Sequence, residues 1–105
     1  MYKIRGKIKG VETININTQK GDFVKKLITI EDLDSGFNHI QQFEIFGQEK
    51  INVIETDHKL EEGVIVNINF YIKSNDFKGK FYNTLMIKEV MVENTYIKES
   101  NETPF

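Results

Sequence analysis

The sequence predicts an all-β domain of five strands with one short helix between the third and the fourth strand. Runs of alternating apolar and polar residues indicate the strands, and clusters of turn-forming residues separate them. In one polar stretch the alternation stops and apolar residues recur at helical spacing instead. A chain of 105 residues suffices for one hydrophobic core and is too short for two domains.

The first half of the chain contains three of the predicted strands. Residues 2–10 alternate, with Ile4 and Ile8 on one face and four basic side chains on the other, as expected for a strand with one buried face. A turn cluster at 19–22 leads into a second strand at 23–31, which is rich in β-branched and aromatic residues. After a break at 32–36, a third strand at 40–46 places Phe43 and Ile45 on one face and Phe46 on the other.

The second half contains the predicted helix and two more strands. Ile51 and Ile54 lie at helical spacing within the polar stretch 48–58, which predicts the helix. Residues 64–73 alternate again, and a basic hairpin tip at 75–80 connects them to a long fifth strand at 81–92. The remaining residues are polar and lack periodicity, so we expect a folded domain at 1–93 and a flexible acidic tail at 94–105.

This order of elements is typical of the OB-fold, a five-stranded, partly open Greek-key barrel. An SH3-like barrel also has five strands, but it does not usually place a helix between the third and the fourth. The element order therefore predicts an OB-fold barrel.

Composition excludes several classes of protein. The chain has no cysteine, which rules out disulfides, a zinc ribbon and a thiol nucleophile. No apolar run is long enough for a membrane span or a signal peptide, so we expect a soluble cytoplasmic protein without membrane contact.

The net charge of -2 is unevenly distributed along the chain. Residues 1–30 hold seven basic and two acidic residues, whereas residues 31–62 hold two basic and nine acidic residues. A polyanionic partner is therefore not excluded by the total charge.

The sequence lacks the motifs of catalysis and of metal or cofactor binding. Gly79-Lys80 has neither the upstream glycine nor the following Ser or Thr of a phosphate-binding loop. The run Asp32-x-Asp34-x-Gly36 places its glycine one position too early for a calcium loop, and the two histidines do not form a ligand pair. We expect a non-enzymatic protein with no cofactor and no metal.

The positive signal is the interleaving of aromatic residues with lysines on strands and their connecting loops. Binding to single-stranded nucleic acid needs both, because cations follow the phosphates while flat side chains stack on unpaired bases, at roughly 1 to 3 kcal/mol per base. In an OB barrel the loops after strands one and four flank the binding groove, and two such clusters fall there. The candidate DNA-binding residues are Arg5, Lys7, Phe23, Lys25, Lys26, Gln42, Phe46, Tyr71, Lys73, Phe77, Lys78, Lys80 and Tyr82.

Three other interpretations stay open at the level of sequence. In the first, the aromatic residues are packing residues and the lysines only keep strand edges soluble. In the second, the acidic block at 31–62 is the working surface of a protein-interaction barrel, since a fold does not dictate function. The third, an RNA-binding cold-shock-like domain, is disfavoured because its dense aromatic strand motif is missing.

A resemblance to a known family lies in the middle of the chain. The segments that carry it are Phe43-Glu44-Ile45-Phe46-Gly47, the helix after it, Leu60-Glu61-Glu62-Gly63-Val64 and the strand-forming run from Phe77 to Lys88. In this order they resemble bacterial and phage single-stranded DNA-binding proteins. Over residues 1–92 the chain is also similar to a small bacterial and phage family of uncharacterised OB-fold proteins, through its Gly-x-aromatic-Lys segment at 21–26.

The resemblance implies roles for particular residues. Phe46 and Phe77 match positions at which the family stacks bases. The chain has no tryptophan, and Ile40 stands where an aromatic residue is often found, which implies weaker stacking at each site.

The C-terminus carries a second likeness. Bacterial single-stranded DNA-binding proteins end in an acidic tip whose last residues are Pro-Phe, and the matching residues here are Glu99, Glu102, Pro104 and Phe105. This resemblance implies a tail that recruits replication or repair proteins, with the aromatic ring in an apolar pocket and the acids against basic residues of the partner. Two acids replace the usual acidic run, and Thr103 replaces an apolar residue.

From these residues and this resemblance we expect sequence-independent binding and protection of single-stranded DNA in replication, recombination or repair, in the cytoplasm of a bacterium or of a phage-infected cell. The alternative is an OB-fold interaction module that uses its acidic surface. Assembly into a homo-oligomer stays open.

Overall fold

The computed structural model describes residues 1–36, 39–56 and 59–93. Its elements are β1 (Tyr2–Thr18), β2 (Gly21–Asp32), β3 (Ile40–Phe46), α1 (Gln48–Ile54), β4 (Ile65–Phe77) and β5 (Lys80–Val92). The predicted number, type and order of the elements are confirmed.

The five strands form a closed barrel in the order β1-β2-β3-β5-β4. β1 pairs antiparallel with both β2 and β4, and β4 pairs antiparallel with β5. The parallel seam between β3 and β5 is short, because it pairs only Phe43 with Leu85 and Glu44 with Met86. This strand order, with a helix between β3 and β4, is that of the OB-fold, and the predicted fold class is confirmed.

Alternate apolar side chains from all five strands fill the barrel interior. The largest fully buried side chains are Phe43, Ile8, Ile28, Ile30, Ile45, Ile68 and Val66. The rings of Phe43 and Phe70 meet edge to face with their centroids 5.0 Å apart. Burial of each such side chain stabilises the fold by about 1.5 to 3 kcal/mol, so these residues decide which face of each strand points inward and which is left to solvent.

β1 and β2 approach each other closely at Gly6. A Cβ atom at this position would lie 2.6 Å from the carbonyl oxygen of Glu31 and would overlap the side chain of Ile30. Gly6 therefore occupies a core-facing position in the alternation of β1 because no side chain fits there.

Gly47 turns the chain from β3 into α1. Its φ of 98° is in the region that favours glycine, and its amide donates a hydrogen bond of 2.8 Å to the carbonyl of Val24. Ile51 is buried and Ile54 packs against the core, whereas Val53 is exposed. The helix is shorter than the predicted stretch 48–58, and no helix in the described ranges is long and apolar enough to cross a membrane.

β1 and β4 are longer than the sequence pattern predicted. β1 continues to Thr18 because Ile14 and Ile16 extend the alternation and pair with β2. β4 continues through the predicted hairpin tip to Phe77, which limits the turn to residues 78 and 79. Among the described residues, 15–23 and 73–84 pair only within their own hairpins, so both hairpins extend past the barrel.

Candidate nucleic-acid interface

Outward-pointing residues of β2, β3, β5 and β4 form one continuous surface, which we name the groove face. Paired residues on neighbouring strands point to the same side of a sheet, and the register follows this surface from Leu27 to Glu44, Met86 and Tyr71. The groove face consists of Phe23, Lys25, Leu27, Gln42, Glu44, Phe46, Tyr71, Lys73, Asn75, Phe77, Lys80, Tyr82, Thr84 and Met86.

An aromatic pair lies at the end of the groove face nearest the β1–β2 hairpin. The ring centroids of Phe23 and Phe46 are 5.8 Å apart, with their planes tilted by 33°. Both side chains are exposed, and the half-buried Ile16 is paired with Phe23 on the same face. The pair presents flat apolar surface to solvent, as stacking on an unpaired base requires.

A depression of about 350 Å³ lies near the centre of the groove face. Lys50 reaches it from α1, and Tyr71 and Lys73 line it from β4. Tyr71 is exposed although its neighbour on β5, Met86, is buried. Neither lysine forms an ion pair with any residue of the described ranges. The depression is thus lined by two aromatic rings, of Phe46 and Tyr71, by these two cations and by the carboxylate of Glu44.

The β4–β5 hairpin carries the other end of the groove face. Phe77 pairs with Lys80 across the hairpin, and Tyr82 lies two residues further along β5. Phe77 is 59% exposed and Tyr82 is also exposed. At the tip, Lys78 has its Nζ 5.3 Å from the centroid of the Phe77 ring, which is within the range of a cation–π contact.

A second depression, of about 450 Å³, lies where β3 and β5 separate. Its lining includes Lys25, Gln42 and Thr84. Glu44 lines both depressions, which makes them neighbours along the groove face. The Oε1 atom of Glu44 lies 3.4 Å from the Nζ of Lys25.

Lys26 points to the opposite side of β2 from the groove face. Its side chain is mostly covered, and its Nζ lies 2.8 Å from Oε2 of Glu55, the residue that follows α1. Lys26 thus holds α1 against β2 and is not placed with the other candidate residues.

Arg5 and Lys7 lie on another face of the barrel, beside Asn67 and Ile65 of β4. The Arg5 guanidinium donates to both carboxylate oxygens of Glu93, at 2.6 and 3.1 Å, and lies 3.3 Å from Asp34. The hydrogen bond and the charge of Glu93 raise the pKa of Arg5. Hydrogen bonds from Arg5 and then from Asn67 lower the pKa of Glu93. Arg5 is therefore neutralised by acids on its own face.

The sequence-based site set lacks six residues that the structure places in the groove: Leu27, Glu44, Asn75, Thr84 and Met86 of the groove face, and Lys50 of α1. Strand alternation alone indicates that Glu44 points outward, because it lies between the buried residues Phe43 and Ile45. Lys50 gave no such signal, because it lies on α1 and reaches the depression only through the packing of α1 on the barrel.

The candidate partner-binding residues of the tail, Glu99, Glu102, Pro104 and Phe105, lie outside the described ranges, as does the proposed tail itself. Among the described residues no group of three His, Cys, Asp or Glu side chains is placed to hold a metal ion.

The chain has a structural likeness to a protein of known structure. No family model matches the chain, and no curated protein matches it. Among solved structures, the chain is similar to a small single-stranded DNA-binding protein from Streptomyces coelicolor, with 13% identity, a TM-score of 0.45, and coverage of 90% of this chain and 93% of that one.

Proposed function

We propose that this protein binds single-stranded DNA along the groove face, largely independently of sequence. The observation that carries the proposal is the placement of five exposed aromatic side chains on that one face. They are Phe23, Phe46, Tyr71, Phe77 and Tyr82.

Five aromatic rings left exposed to water contribute little to the stability of the fold. Each ring would contribute more to stability if it were buried. Flat rings separated by polar residues suit a ligand that presents flat faces at intervals along a chain. Unpaired bases have this property, and every base has a stacking face.

The charges of the groove face suit a phosphate backbone. Lys50, Lys73 and Lys80 line it without an ion pair in the described part of the chain, and Lys78 lies at the hairpin tip beside Phe77. These cations lie beside the rings, so one strand can stack its bases and place its phosphates near ammonium groups at the same time.

A biological role and a partner site belong to the same proposal and rest on the sequence. The protein would shield exposed strands in the cytoplasm during replication, recombination or repair. The acidic tail ending in Pro104 and Phe105 would recruit replication or repair enzymes to the coated strand.

Fluorescence anisotropy tests the proposal with labelled oligo(dT), the matched duplex and the matched RNA, each at two salt concentrations. We expect salt-sensitive binding of the full chain that prefers the single DNA strand. Preference for the RNA strand would reassign the ligand, and binding to none of the three would refute the proposal.

The tail is tested separately with a chain that ends at Asn94. We expect this chain to keep or increase its affinity for oligo(dT), because all residues of the groove face precede the cut and an acidic segment competes with DNA for cations. A loss of DNA binding on truncation would place part of the DNA site in the tail.

A further inference from the structure

Glu44 introduces a negative charge at the centre of the groove face. Its side chain is 15% exposed and that of its partner Lys25 is 27% exposed, and both side chains line the second depression. A carboxylate repels phosphates. Its presence between the two depressions therefore suggests contact with a part of the DNA other than the backbone.

Aromatic rings flank Glu44 in two directions. Phe46 is the next outward residue on β3, and outward residues of one strand lie about 7 Å apart. Tyr71 is two strands away, beyond Met86, at about 10 Å across the sheet. A base that stacks on either ring can turn one edge towards Glu44 and Lys25.

The Glu44–Lys25 pair offers two acceptor oxygens next to one ammonium donor. Guanine alone among the DNA bases presents the complement on its Watson–Crick edge, with N–H donors at N1 and N2 beside an acceptor at O6. Thymine has a single donor between two acceptors, and adenine and cytosine each have one amino group beside acceptors. Proteins that bind single strands read this edge of unpaired bases, and hydrogen bonds to an ionised carboxylate are stronger than neutral ones.

We propose that Glu44 and Lys25 form a guanine-reading site in the groove. The carboxylate accepts the N1 and N2 hydrogen bonds, and the Lys25 ammonium donates to O6. This inference rests on the proposed binding of single-stranded DNA. Stacking and phosphate contacts are available to every sequence. The guanine-reading site would add a preference for guanine at one position of the bound strand.

The test uses the full chain and the shortest oligothymidine strand that binds with full affinity. The central base is thymine, guanine or hypoxanthine, which lacks only the 2-amino group of guanine. We expect the guanine strand to bind about tenfold tighter than the thymine strand. The hypoxanthine strand should lose most of this advantage, because one of its two bonds to the carboxylate is missing.

A matched pair of variants assigns the effect to Glu44. Glu44→Gln keeps the size of the side chain but has a single acceptor oxygen, so it should abolish the guanine advantage while binding the thymine strand at least as tightly. Glu12→Gln removes a negative charge from β1 beside Leu27 and should keep the advantage.

The outcomes separate this inference from the proposed function. Equal affinity for the three strands would overturn the guanine site and leave single-strand binding intact. A guanine advantage that persists in Glu44→Gln would overturn the role of Glu44. Failure to bind any strand would overturn the proposed function itself.

Discussion

Replacement of Phe77 by alanine separates base stacking from packing at the end of the groove face. Phe77 is 59% exposed, so folding buries about two-fifths of its ring. A phenylalanine side chain buries about 200 Å² when it is fully covered, so Phe77 buries about 80 Å². At about 25 cal/mol per Å², this burial contributes at most about 2 kcal/mol to the free energy of unfolding. If a base stacks on the ring, its loss costs roughly 1 to 3 kcal/mol of binding, which raises the Kd about 5- to 150-fold.

Phe81 provides the matched control on the same hairpin. It pairs with Asp76, one position from Phe77, so its ring points to the other side of the ribbon, and it is 74% exposed. Phe81→Ala should leave the affinity for oligo(dT) unchanged.

The assay is anisotropy with labelled oligo(dT) at fixed salt, together with thermal unfolding of each variant. Equal losses of affinity in Phe77→Ala and Phe81→Ala would refute the assignment of stacking to the groove face. A lower Tm for Phe77→Ala with an unchanged Kd would assign Phe77 to packing.

Three further predictions concern salt, pH and the backbone. The logarithm of the DNA-binding constant should fall against the logarithm of salt concentration with a slope of about -2 to -3, as three or four lysine–phosphate contacts predict at about -0.7 each; a flat titration would exclude phosphate contacts. Because Arg5 lowers the pKa of Glu93, the wild type should be more stable to urea than Glu93→Gln at neutral pH. That advantage should shrink as the pH falls below 4.5, the ordinary pKa of the group, and vanish once folded Glu93 is protonated; a constant difference would contradict the pairing. Gly6→Ala should destabilise the fold by about 2 kcal/mol or more through overpacking against Ile30. Gly10→Ala is the control, because its added Cβ meets no atom within 4 Å, and it should be neutral or slightly stabilising. Equal urea midpoints for the two variants would show that the close approach of β1 and β2 does not exclude a side chain at Gly6.

The strands of this protein were predictable because alternation is a local property. Side chains on a strand repeat every two residues, so the burial of Phe43 and Ile45 places Phe46 on the outside before any partner strand is known. The same reasoning placed Tyr71 outside and identified most of the groove face.

The charged residues were less predictable. Lys3, Arg5, Lys7 and Lys9 alternate with the core residues of β1 and have the same sign, which suggested phosphate contacts. In the fold, Arg5 meets Glu93, which is 88 residues away in sequence, and Lys26 meets Glu55, which is 29 away. Lys25 meets Glu44 of the next strand, which is 19 residues away.

The difference has a physical origin. Hydrophobic alternation and turn residues set the type, order and inward face of each strand, since these depend on neighbours within a few residues. The partner of each charge depends on which strands pair and in what register, and this is set by packing the whole core at once. The pattern along the chain was thus enough for the barrel and its exposed rings, whereas the fold determined which lysines of the described ranges form ion pairs and which do not.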